Sequence, residues 1–121
     1  IEVDTLKGMV DTQVLPAAFT YLGDIARGAQ AVKEMGAVPP QTESIKRLSL
    51  LAQDLQKKRA ALDSLMQAFE KATSEEQKAE HLARDVSPAM AEMRGICDEI
   101  ESTVADDVWP MPKYREMLFL G

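Results

Sequence analysis

IKRLSLLAQDLQKKRAALDSLMQAF, residues 45–69, carries apolar side chains at Ile45, Leu48, Ala52, Leu55, Leu62, Met66 and Phe69. The steps between them are three, four or seven, so on a helix of 3.6 residues per turn these positions form one stripe. Arg59 alone interrupts the series, and its aliphatic stem can still lie along an apolar surface. Similar stripes flank this segment. Upstream, Val3, Leu6, Val10, Val14, Ala17, Tyr21, Ile25, Val32 and Met35 recur at helical steps; downstream, Leu82, Val86, Ala89, Met93, Ile96, Ile100 and Val104 do the same.

Two short breaks separate the three segments. Gly36 followed by Pro39-Pro40 ends the first one, because glycine accepts the left-handed cap and proline cannot continue a helix. In the second break, Ser74 and Gln77 have the spacing of a capping box, with Glu75 and Glu76 in the first turn where the helix dipole favours negative charge. Breaks this short make sequential helices antiparallel neighbours. The pattern predicts an all-α fold of one domain with helices over about 2–35, 42–72 and 75–105, each roughly 45–50 Å long. The expected architecture is an elongated antiparallel up-down-up three-helix bundle. No run of alternating β-branched residues competes with it.

Composition narrows the function. In 121 residues, 45% are hydrophobic and 28% charged, enough for a packed core and too apolar for a disordered chain. Fourteen Lys and Arg stand against 20 Asp and Glu, and the net charge of −6 speaks against a nucleic-acid groove, which needs surplus cations. No apolar run approaches the length of a membrane span. The single cysteine, Cys97, has no partner for an internal disulfide and suits a reducing cytosol. The sequence opens at Ile1 already inside a helical pattern, so the reading is of a fragment of a larger chain.

Residues 41–73 hold four acidic and six basic side chains, whereas residues 74–107 hold ten acidic and three basic, which favours attraction between facing helices. Asp98, Glu99 and Glu101 lack the spacing of a calcium loop. The only histidine, His81, stands one position before a stripe residue, at or outside the edge of the buried face. Phosphotransfer through it is conceivable, but Leu82-Ala83-Arg84-Asp85 supplies neither the lysine nor the glycine clearance that activity needs. Cys97 reads as a small core hydrophobe. There is no phosphate loop, Ser-His-Asp set or nucleophile elbow, so no catalytic, cofactor-binding or metal site is expected.

Two prolines sit inside the helical segments. Pro16 lies in Val14-Leu15-Pro16-Ala17-Ala18 and Pro88 in Val86-Ser87-Pro88-Ala89-Met90. Each removes a backbone donor and crowds the preceding turn, so a kink or break is expected at each. The last stretch, 106–121, holds Trp109, Pro110, Pro112 and Tyr114 and ends on the apolar Met117-Leu118-Phe119-Leu120. Its prolines stop the third helix, and so much apolar surface calls for packing. The expectation is packing back over the bundle, with Lys113 to Leu118 in a short helical turn; the competing reading is packing against a further domain of a larger chain.

Read together, three stretches resemble type III glutamine synthetases. Leu15-Pro16-Ala17-Ala18 with Tyr21 is similar to their "LPAA…Y" segment. Val86-Ser87-Pro88-Ala89-Met90 with Arg94, Asp98 and Glu101 resembles their "V-x-P-x-M…R…D…E" helix. Trp109 through Phe119 resembles their "WPxPxYxxxLF" ending. The resemblance implies the C-terminal helical region of a cytoplasmic, ring-forming ligase that joins ammonia to L-glutamate with ATP and Mg²⁺ or Mn²⁺. The family's metal- and phosphate-binding residues have no counterpart in these 121 positions, so no cofactor is expected in this fragment. A non-catalytic role in stability, subunit contacts or regulation follows, with the catalytic domain of the same chain and neighbouring subunits of a homo-oligomer as partners. The motif residues Pro16, Tyr21, Pro88, Arg94, Asp98, Trp109, Pro110, Pro112 and Tyr114 are then structural. Tyr21, Arg94 and Asp98 are expected to bridge the kinked helices, with Trp109 covering them. The competing readings are a stand-alone adaptor bundle that binds a partner helix, and a histidine phosphotransfer module.

Overall fold

A computed structural model describes residues 2–104; the stretch carrying Trp109, Pro110, Pro112 and Tyr114 lies outside the described residues. Among the described residues all regular structure is helical. Three helical rods follow one another. The first comprises α1 (Glu2–Met9), a π-helical turn (Val10–Val14) and α2 (Leu15–Glu34). The second is the unbroken α3 (Thr42–Lys71). The third comprises α4 (Glu75–His81), a second π-helical turn (Leu82–Val86) and α5 (Ser87–Thr103).

The ends of the rods are written in the residues that close them. Gly36 adopts φ +87°, the left-handed region open to glycine. Its N–H donates to the Lys33 carbonyl at 3.0 Å and that of Ala37 to Val32 at 3.3 Å, the paired bonds of a Schellman cap. At the start of α4, the Ser74 hydroxyl accepts from the Gln77 N–H at 3.1 Å. Gln77 reaches back as a capping box requires, but one residue further than the usual geometry: its Oε1 accepts from the N–H and hydroxyl of Thr73.

The core is a seam of aliphatic side chains shared by all three rods. Leu48, Leu55 and Leu62, spaced by seven, are fully buried on α3. Val10, Val14, Val86, Met93 and Ile100 are fully buried against them in the same cluster. Each such side chain contributes about 1.5–3 kcal/mol of hydrophobic stabilisation. α3 packs against both α2 and α5, and the first π-turn also touches α5. Every buried side chain among the described residues is apolar. The outer ends of the expected stripes are less covered: Tyr21, Ile25 and Val32 are half-buried, Met35 is exposed, and Leu82 lies on the surface. α2 has α3 as its main neighbour, so its face past Ala18 lacks the second wall that the core residues enjoy.

The two internal prolines produce neither a broken helix nor a lost turn. The backbone stays right-handed helical at Met9, Val14 and Leu15, and again at His81, Val86 and Ser87. Instead, the residue before each proline donates one position further back than in an α-helix: Leu15 N–H to the Val10 carbonyl, and Ser87 N–H to the Leu82 carbonyl. Widening the turn removes the crowding that a proline ring imposes on the carbonyl four residues earlier. Both proline rings face solvent while Val10, Val14 and Val86 point inward.

A π-turn contains one residue more than the α-turn it replaces, and this generates a prediction. Deleting exposed Gln13 together with Pro16→Ala converts the turn to α while keeping both flanking stripes aligned. That variant should lose less stability than Leu62→Ala, whose expected cost is about 2–5 kcal/mol. Deleting Gln56 from the unbroken α3 rotates everything beyond it and should abolish cooperative urea unfolding.

Candidate functional site

The two π-turns and the side chains that tie them to α3 are the most specifically built part of the described chain. Asp11, inside the first π-turn, receives three bonds from Arg59: Nε to Oδ1 at 3.1 Å and to Oδ2 at 3.2 Å, and Nη2 to Oδ2 at 2.9 Å. This forked pairing is the geometry in which an Arg–carboxylate contact is strongest. Arg59 Nη1 also donates to Asp63 at 2.6 Å, and Lys7 Nζ lies 2.9 Å from the other Asp63 oxygen. The result is a continuous ladder, Lys7–Asp63–Arg59–Asp11, running between the first rod and α3. Arg59 is only 21% exposed. The residue that breaks the heptad stripe therefore carries its guanidinium to the π-turn and covers the seam with its stem.

The ladder shifts the ionisation of its members. Asp63 is held below the usual carboxylate value, first by its hydrogen bond from Lys7 and then by that from Arg59. Arg59 is raised, mainly by its hydrogen bonds to Asp11. Across the other interface, Lys58 Nζ stands 3.0 Å from the Glu92 carboxylate of α5, and that contact raises the lysine.

Asp85, inside the second π-turn, lies 2.6 Å from His81 Nδ1, and His81 Nε2–H donates to the Leu65 carbonyl on α3 at 2.8 Å. The imidazole stacks on Phe69 with centroids 6.4 Å apart, and Lys78 stands over the same ring at 5.8 Å. Each π-turn thus contributes one carboxylate to a link with α3, through Arg59 in one case and His81 in the other. His81 is 17% exposed with both ring nitrogens engaged, which makes it an interhelical tie. A phosphoacceptor needs one nitrogen free and approachable.

The expected site residues fall as follows. Pro16 and Pro88 occupy equivalent positions, two residues past their π-turns. Tyr21 is half-buried against the core cluster. Arg94 Nη1 lies 3.6 Å from Glu2 of α1, and Asp98 is exposed beside Cys97. Among the described residues these three side chains do not form one bonded set. Cys97 is buried in the core, and burial, helped by the Asp98 charge, pushes its thiol up to about 11, so it stays protonated and unreactive near neutrality. Among the described residues no group of three or more His, Cys, Asp or Glu is placed to hold a metal ion. None of their helices is long and apolar enough to cross a membrane. What the sequence pattern did not reveal was the partnership of Arg59 with Asp11; its signal is a lone cation at a core heptad position with acids at residues 11 and 63.

Comparison with known proteins bears out the resemblance drawn from the three motif stretches. The chain is 33% identical over 131 aligned positions to a type-3 glutamine synthetase of Dictyostelium discoideum, a match covering 99% of this chain and 17% of that protein. It is 26% identical over 133 positions to a glutamine synthetase of Bacteroides fragilis, covering 98% of this chain and 17% of the relative. The chain therefore spans about a sixth of the length of the curated relatives it matches. No family model matches it.

The lowered Asp63 sets a pH dependence. A carboxylate whose folded pKa lies below its unfolded one contributes stability above the unfolded value, and loses it as pH falls through the folded value. The urea midpoints of wild type and Asp63→Asn should differ most near about pH 6, and the gap should narrow as pH falls below the unfolded aspartate value of about 3.9. A gap that persists unchanged into acid would show that the ladder is not what Asp63 contributes.

Proposed function

We propose that this chain is the C-terminal helical domain of a type III glutamine synthetase and takes no direct part in its chemistry. One observation carries the reading: similarity along 99% of the chain to a protein of which it spans 17%. The parent enzyme joins ammonia to L-glutamate with ATP, and ATP and Mg²⁺ or Mn²⁺ are held elsewhere in that polypeptide. The domain serves stability, subunit contacts or regulation in a cytoplasmic homo-oligomer, against the catalytic domain of its own chain and neighbouring subunits.

Several features support a structural role. Asp11 and Asp63 are committed to ties between rods, and Asp85 holds His81, which bonds to α3. Phe19 is 48% exposed and Leu50 66% exposed, which offers apolar surface for contacts with the rest of an assembly. The rods run up-down-up in this reading. Advancing from Lys7 to Asp11 on the first rod steps back from Asp63 to Arg59 on α3, and Lys58 with Glu92 and Leu65 with His81 give the same reversal for the third. The tail beyond Val104 packs back over the rods, with Trp109, Pro110, Pro112 and Tyr114 as its anchors.

Assayed alone, the 121-residue chain should neither bind ATP nor carry out γ-glutamyl transfer. Removing the matching segment from the Dictyostelium relative should lower its melting temperature or its oligomeric size. Transfer activity in the isolated chain, or a truncated relative indistinguishable from the intact one, would overturn the proposal.

A further inference from the structure

The geometry points to a specific seat for the apolar end of the tail: we propose that Met117-Leu118-Phe119-Leu120 docks in a groove at the opposite end of α5 from Val104. The inference rests on the reading that the tail packs back on the rods, and adds where it goes and what holds it. The groove has a volume of about 330 Å³ and is formed by all three rods. Val3 and Asp4 contribute from α1, Met66 and Phe69 from the end of α3, Leu82 from the second π-turn and Met90 from α5. Leu82 is 42% exposed, a large aliphatic side chain left in water beside the groove's other apolar residues, Val3, Met66, Phe69 and Met90. Each such side chain gains from being covered, and the two methionines can adapt their shape to an incoming segment.

Charge and reach single out this occupant. The rim carries Glu2 and Asp4, and the apolar end of the tail is preceded by Lys113, Arg115 and Glu116, a net positive charge, so opposite charges would flank the seated side chains. From Val104 back to the groove at Ser87 is 17 helical residues, about 25 Å at a rise of 1.5 Å per residue. The 12 residues from 105 to 116, extended at roughly 3.1 Å each, reach about 37 Å. The linker therefore spans the distance with slack, and Pro110 and Pro112 favour the extended path it must take.

The test uses the whole 121-residue chain with Cys97→Ala and Gly121→Cys, which leaves the apolar cluster intact and places a nitroxide just past it. With methionine methyls isotopically labelled, the nitroxide should remove most of the Met66 and Met90 signal and spare Met35. Leu82→Glu should restore both signals while the far-ultraviolet circular dichroism keeps its helical form. Loss at Met9 or Met35 in place of Met66 and Met90 would overturn this seat, and so would no loss at all. Signal loss seen only when spin-labelled chains are mixed with isotope-labelled ones would assign the groove to a second copy and overturn it equally. Trp109 fluorescence separates this failure from that of the wider reading: a blue-shifted tryptophan with Met66 and Met90 unaffected means the tail packs elsewhere, and a water-like spectrum means it does not pack.

Discussion

Three leucines seven residues apart, Leu48, Leu55 and Leu62, form the line against which the other rods are built. A helix with an apolar stripe gains little by itself, because most helical stability in proteins comes from covering that face. Here α2 and α5 both pack on α3, and Val10, Val14, Val86, Met93 and Ile100 complete an apolar seam. Polar ties are set around that seam. Lys7, Asp63, Arg59 and Asp11 lace one interface; Lys58, Glu92, His81 and Asp85 lace the other. Individually, exposed pairs of this kind contribute about 1 kcal/mol or less, so their value lies in fixing which faces meet.

Each proline lacks an amide donor and crowds the preceding turn. The π-turns accommodate this by widening the loop while the backbone stays helical. A carboxylate in each π-turn takes part in a link to α3. Arg59 supplies that link to Asp11, and His81, bonded to the Leu65 carbonyl, supplies it to Asp85. Two similar motif stretches, Val14-Leu15-Pro16-Ala17 and Val86-Ser87-Pro88-Ala89, are thus two instances of one structural device.

Much of this was legible in the residues alone. The stripe on residues 45–69, the glycine stop at Gly36 and the cap at Ser74 each rest on local rules that depend on a few neighbours, and the helices begin and end close to where those rules place them. The response to Pro16 and Pro88 was not legible, because a proline inside a helix is compatible with a kink, a break or a π-turn, and long-range packing chooses among them. Likewise Arg59 stood out as an interruption, but its partner Asp11 is 48 positions away. Tyr21, Arg94 and Asp98 belong to the motif stretches, but the structure places Arg94 beside Glu2, a contact that no spacing rule announces. Three motif stretches carry the resemblance to type III glutamine synthetases, and two glutamine synthetases match this chain over nearly its whole length.

At each proline the helix is carried through by the preceding amide reaching five residues back. Scalar couplings transmitted through hydrogen bonds report donor and acceptor without reference to any coordinates. In the 121-residue chain, the Leu15 amide nitrogen should couple to the Val10 carbonyl carbon, and that of Ser87 to Leu82. Couplings to Asp11 and Ala83, the α-helical acceptors, would contradict the account.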